Sequence, residues 1–226
     1  MDRKLIIKAV LGVATMPLIF GLVTFLPAGT FDYWQGKLFI ATFFVITTVL
    51  TLYLMKYDPA LLERRLKAGP TFEKRGPQKT IMLVMSVGFF LMIVIGGLDH
   101  RFGWTHVPNV LVYAGNILMV LSYVLILEVF RENSFASATI ETAKDQKVIS
   151  TGLYGIVRHP MYSASLLFML GIPLALASWW SLALCVSLAP NLLWRIFDEE
   201  KMLRDELEGY GDYCKKVRFR LIPWIF

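Results

Sequence analysis

The chain has 226 residues, 56% of them hydrophobic and only 18% charged, with a mean hydropathy of +0.58. A soluble domain of this size does not need so much apolar surface to fill its core, which excludes that class and leaves the excess to face lipid. The formal net charge of +6 reads as topological rather than as a nucleic-acid footprint, because the Lys and Arg residues sit in the short loops between apolar runs.

About six spans are expected in chain order, over residues 5–26, 37–55, 80–98, 107–129, 160–177 and 181–197, with five to six of them full crossings. The fold class is therefore all-α, a polytopic membrane helix bundle. The first run is long and apolar, but no small-residue cleavage site follows it, so it reads as a span and not as a cleavable leader. Within the 56–79 loop, Asp58 is placed to cap a short helix begun by Pro59, with Leu61, Leu62 and Leu66 along one side. Its expected place is on an anionic leaflet, ahead of the alternative, a direct role in substrate binding. The last two spans are short for a ~30 Å hydrocarbon core and are joined by Ser178, Trp179 and Trp180, a tight hairpin with an aromatic tip. All but two of the 23 Lys and Arg residues, Lys37 and Arg101, fall on one side of this layout, which puts both termini in the cytosol. The chain divides into an N-terminal set of four spans, 1–130, and a C-terminal core, 131–226.

The two cysteines, Cys185 in an apolar run and Cys214 in the charged tail, read as free thiols. His100, His106 and His159 lie in different segments without metal-ligand spacing, so no metal site is expected.

Two polar regions flank the hairpin, 131–159 and 195–226, and a hairpin returns its chain to the side it left. Their facing ends must therefore meet. The first region closes with Gly152, Tyr154, Gly155, Arg158, His159, Pro160 and Tyr162. Pro160 suits the first turn of a helix, which gathers Arg158, His159 and Tyr162 at an N-terminus whose free N–H groups favour an anion. An interface anchor for the helix end would use the same residues. The second region opens with Arg195, Asp198, Glu199 and Glu200. Acids at a helix C-terminus oppose the dipole, so the helix is expected to run on to about Leu207. On it Arg195 and Glu199 are spaced to pair, while Glu199 and Glu200 point in different directions.

In this order and spacing, Thr151-Gly152-Leu153-Tyr154, Arg158-His159-Pro160-Met161-Tyr162, an apolar hairpin, Glu199-Glu200, Gly209-Tyr210-Gly211-Asp212-Tyr213 and Leu221-Ile222-Pro223 resemble the isoprenylcysteine carboxyl methyltransferase and phospholipid methyltransferase group of integral membrane enzymes. The resemblance covers about 135–226, the first four spans matching only as hydrophobic helices. It implies S-adenosyl-L-methionine as cofactor, bound between the Arg-His-Pro segment and the Glu-Glu helix. It implies cofactor contacts from Gly152, Tyr154, His159, Pro160, Tyr162, Tyr213 and Glu199 or Glu200, with Arg158 or Arg195 near the acceptor.

The chemistry of these residues agrees with what the resemblance implies. The cofactor carries a sulfonium, an ammonium and a carboxylate, and calls for acids, a cationic or helix-end partner and aromatic faces. A carboxylate acceptor is already ionised near neutral pH, whereas an amine must first lose a proton; histidine's titration range suits that task, so His159 leaves an amine open. The expected acceptor is a lipophilic or lipidated small molecule, carboxylate favoured over amine. Other partners expected are membrane lipid and no nucleic acid. Two alternatives remain: an NADPH-dependent enzyme of the sterol reductase type, which shares the Arg-His-Pro-x-Tyr element, and a non-enzymatic transporter or assembly protein. A transport pathway would place ionisable residues near the bilayer midplane, and few are found there.

Overall fold

The computed structural model describes residues 2–140 and 147–226; residues 141–146, with Lys144 of the charge asymmetry, lie outside the described residues. Among these the chain is helical without strands: α1 (Arg3–Ala28), α2 (Trp34–Tyr57), α3 (Pro59–Leu66), α4 (Gly76–Phe102), α5 (Asn109–Glu132), a 3-10 turn (Gly152–Gly155), α6 (Pro160–Ala175), α7 (Trp179–Ser187), α8 (Ala189–Glu206) and α9 (Tyr210–Lys216). Five stretches are long and apolar enough to cross a membrane: α1, α2, α4, α5 and Trp179–Glu206, which is α7 and α8 together. Large apolar side chains such as Leu18, Val45, Val87 and Val124 are exposed on these helices, which is stable only against lipid. The chain is an integral membrane protein built as a polytopic helical bundle.

The C-terminal hairpin is less symmetric than six equal spans would make it. Its first arm, α6, has 16 residues, while its second runs through 28 and breaks at Leu188. Pro190 lies in the first turn of α8; lacking an N–H and carrying a ring against the preceding turn, it cannot continue α7. As expected from the acids' position, α8 runs on to Glu206.

Lipid tails are as apolar as leucine, so packing inside the bundle rests on close fit rather than on water exclusion. The tightest fit joins α5 to α6. A Cβ on Gly115 would stand 2.5 Å from Ala175 N, and one on Gly171 2.8 Å from Gly115 O, so the two backbones touch. Beside this pair, Phe20, Phe39, Phe43, Met92, Met119 and Ile172 fill the middle of the bundle, with edge-to-face rings such as Phe20 and Phe43 at 4.9 Å. At the end away from the polar loops, buried Asp99 accepts from Thr105 N at 2.8 Å, from Thr105 Oγ1 at 2.6 Å and from Ser178 Oγ at 2.5 Å, tying α4 to the hairpin tip.

Helix α3 departs from the expected leaflet-bound position. Asp58 does cap it, accepting from Leu61 N at 2.9 Å, but Leu61 and Leu62 are buried against Leu5, Leu54, Val129 and Phe130. An apolar helix face looks the same in sequence whether lipid or protein covers it. Here protein does, and α3 closes one side of the site.

Candidate active site

Residues brought together by the hairpin line a cavity of about 320 Å³, within the range of small-molecule sites. Progress along the helices orders its wall. Leu192 on α8, Ser165 on α6 and Met82 and Met85 on α4 lie at the end deeper in the bundle. Tyr154, Leu207, Tyr210 and Tyr213 lie at the other, and Arg195, Glu199, His159 and Arg65 fall between.

Pro160 opens α6 as expected, with His159 at the N-cap position. The segment before it is pinned by the tail, since Arg158 N donates to Phe219 O and His159 N to Arg220 O, both at 2.9 Å. Glu199 and Glu200 then separate into two environments. Glu200 is 3% exposed; its Oε1 accepts from Arg158 Nε at 2.8 Å and from Arg220 Nε at 3.2 Å, and stands 3.2 Å from His159 Nε2. Burial of such a carboxylate is tolerable only with this number of charged donors. Glu199 lines the cavity, accepts from the Tyr162 hydroxyl at 2.5 Å and stands 3.9 Å from His159 Nδ1.

The Arg158 guanidinium is engaged in the wall through Nε and Nη1. Besides Glu200 it donates through Nη1 to Val217 O at 2.8 Å and Arg218 O at 2.7 Å, so it braces the tail. Arg195 also finds a partner other than the one expected. It reaches Glu199 only through Tyr162, whose hydroxyl accepts from Nε at 3.1 Å. Its ion pair is with Glu73, at 3.0 Å, and Nη1 also donates to Gln78 Oε1 at 2.8 Å. Glu73 and Gln78 are buried, and Gln78 passes the network on to Asp198 Oδ2 at 2.5 Å, which Arg75 pairs at 2.9 Å. This network, invisible to local spacing, draws the 67–79 segment onto α8. The burial of Glu73 and Gln78 among lysines and arginines has no sequence signature.

Of the other residues singled out, Tyr154 and Tyr213 line the cavity and are joined, Tyr213 donating to Tyr154 O at 2.7 Å. Burial pushes the Tyr154 phenol up to about 12, so it stays protonated near neutral pH. Gly152 lies outside the lining. It holds a φ of +51°, a left-handed conformation suited to glycine, and a Cβ there would stand 2.6 Å from Glu132 Oε1, so the residue seats the turn against α5. Tyr210, which belongs to an element singled out in sequence but not to the site, lines the cavity, and its buried hydroxyl has no hydrogen-bond partner among the described residues. No group of three or more His, Cys, Asp or Glu suited to a metal occurs among the described residues.

Comparison with known proteins bears on residues 110–209, which match a family model described as phospholipid methyltransferase. That agrees with the family resemblance of the C-terminal region, with two adjustments: the match takes in α5 and stops before α9. α5, which the match takes in, packs its backbone on α6 at Gly115 and Gly171. A Delta(14)-sterol reductase of Mus musculus is 30% identical over 99 residues, which is 39% of this chain and 22% of that protein. The chain thus spans about a fifth of that relative's length.

Proposed function

We propose that this chain, carrying a phospholipid methyltransferase segment, transfers a methyl group from S-adenosyl-L-methionine to a lipophilic or amphiphilic acceptor, with a carboxylate favoured over an amine. The observation that carries the reading is the cavity between the Arg158-His159-Pro160 segment and Glu199, walled by tyrosines and left with one orphaned buried hydroxyl, on Tyr210. A buried hydroxyl without a partner costs roughly 1–3 kcal/mol, and a polar ligand removes that cost.

When bound, S-adenosyl-L-methionine supplies an electrophilic methyl group on a positively charged sulfur. The residues suit it: Glu199 offers a carboxylate to a cation, and Tyr154, Tyr210 and Tyr213 offer aromatic faces. Methyl transfer is an in-line displacement, so the chain's main work is to hold two ligands in register and keep water out. Glu200, Arg158 and the tail carbonyls act as the frame for His159 and Glu199. His159 Nε2 stands 3.2 Å from Glu200 and its Nδ1 3.9 Å from Glu199, and the carboxylate is favoured on its ionisation near neutral pH. An ionised carboxylate asks for no base, so a carboxylate acceptor needs nothing further from the ring, whereas an amine would have to give up a proton first. In this reading residues 131–226 form the catalytic core, with α5 as its fixed wall, and both termini and the site face the cytosol.

The similarity to a Delta(14)-sterol reductase supports a second reading, in which the same cavity takes NADPH and the chain is a reductase. Isothermal titration of the detergent-purified protein separates the two. Saturable binding of S-adenosylhomocysteine without NADPH binding is the expected result; NADPH binding alone would transfer the chain to the reductases, and binding of neither would remove the enzymatic reading.

A further inference from the structure

The charges around the cavity do not balance one by one. Arg158 is neutralised by Glu200 and Arg195 by Glu73. Arg65, on α3, is different. It lines the cavity, is half-buried, and has no carboxylate within ion-pair distance among the described residues. Its Nη1 donates to Ser137 O at 2.9 Å and touches Met161 Sδ at 3.5 Å, and the guanidinium lies 5.2 Å from the Phe130 ring. Nε and Nη2 donate to nothing among the described residues. Burial pushes this guanidinium below its ordinary value, and the nearby Arg195 adds to the effect.

A guanidinium is always charged, and one drawn out of water without an acid is a site that an anion stabilises. The rest of the wall indicates which molecule brings the anion. Tyr154, Tyr210 and Tyr213 crowd the end of the cavity away from the bundle, whereas Met82, Met85 and Leu192 occupy the deeper end. Met85 and Leu192 also line a second, almost wholly apolar groove of about 110 Å³ with Leu166, Met169, Cys185 and Leu188, so apolar surface continues from the cavity between α4, α6 and α7. Arg65 stands at the boundary of these regions, where a molecule with an anionic head and an apolar chain places its charge.

Building on the methyltransferase reading, we infer that Arg65 is the specificity-determining residue of the site, seating an anionic group, carboxylate or phosphate, of an amphiphilic acceptor whose apolar chain runs toward Met85 and Leu192. The acceptor's head and the donor's methionyl carboxylate are the two sources of such an anion, and the test distinguishes them. Native mass spectrometry of the detergent-purified full chain compares N-dodecanoylglycine with its uncharged methyl ester in the native protein, Arg65→Gln and Arg65→Lys. Titration with S-adenosylhomocysteine runs beside it.

The native protein is expected to prefer the acid over the ester by at least about tenfold, the scale of one charge-assisted, bidentate contact. Arg65→Lys keeps part of that preference and Arg65→Gln loses it, while all three bind S-adenosylhomocysteine alike, which also shows that they are folded. Should Arg65→Gln fail to fold, the partial loss in Arg65→Lys carries the test, and a full preference there would count against the inference. No preference in the native protein, or one that survives in Arg65→Gln, overturns it. Loss of S-adenosylhomocysteine affinity in Arg65→Gln with acid binding unchanged moves the anion to the donor and overturns it as well. If the native protein binds no S-adenosylhomocysteine but keeps an Arg65-dependent acid preference, the methyltransferase reading fails and the anion seat stands.

Discussion

Replacing Glu199 by Gln removes a charge from the cavity wall while keeping an acceptor for the Tyr162 hydroxyl. The expected outcome is a loss of about tenfold or more in S-adenosylhomocysteine affinity by titration, with little change in unfolding temperature. Glu200→Gln should act the other way round. It leaves Arg158 and Arg220 facing a neutral group in a buried site, so thermal unfolding should show a cost of about 3–5 kcal/mol and the affinity should fall only through distortion of the wall. The Tyr210→Phe variant should unfold at the native temperature or above, because the lost hydroxyl has no partner, yet bind ligand several-fold more weakly. Sequence placed Arg158, His159, Tyr162, Glu199 and Glu200 together because a hairpin forces its ends to meet. It could not reveal that Arg195 chooses Glu73 over Glu199, since a pairing across 122 positions leaves no periodic trace and the four-residue spacing to Glu199 looked equally sound.

Among the elements, α5 and α6 carry the strictest geometric demand. A methyl group at Gly115 meets backbone atoms, Ala175 N at 2.5 Å and Gly171 O at 2.7 Å, and backbone cannot rotate aside as a long side chain can. Gly115→Ala is therefore expected to force the helices apart and lower stability by about 1–3 kcal/mol, read as a fall in unfolding temperature with weaker ligand binding, because α6 carries the Arg-His-Pro segment. An alanine at Gly12, where a Cβ would meet nothing within 4 Å, is the control and should be silent. Helix existence and most boundaries were legible from apolar run length, and the start of α6 from Pro160. The docking of α3 was not, for Leu61 and Leu62 would sit as well on lipid as on Leu54 and Val129. The break at Leu188 had its sign in Pro190, but within a continuous apolar run a proline can kink a helix as readily as divide it.

Across the whole molecule the polar network from Arg75 through Asp198, Gln78, Arg195 and Glu73 fastens the segment before α4 to α8. A double-mutant cycle on Glu73→Gln and Arg195→Met should return a coupling of about 1.5–3 kcal/mol in unfolding free energy, whereas additive losses would show that the pair is not coupled. The bundle's class and membrane residence were plain from composition, because no other solvent accepts so many outward apolar side chains. The network that closes the site was hidden, because basic loops advertise orientation and say nothing of which acid each cation meets.

The shortness of α6 reaches beyond the protein. Its 16 residues rise about 24 Å, several ångströms less than an ordinary hydrocarbon layer of ~30 Å, and no neighbour can lengthen it while Gly115 and Gly171 lock its backbone to α5. If α6 crosses the layer, the expected accommodation is a bilayer thinned beside the cavity. Thinning there would bring lipid headgroups toward Arg65 and the apolar groove, so membrane thickness is expected to act on access. Reconstituted in dimyristoyl rather than dierucoyl phosphatidylcholine, the protein should unfold a few °C higher, and an amphiphilic ligand should reach it faster.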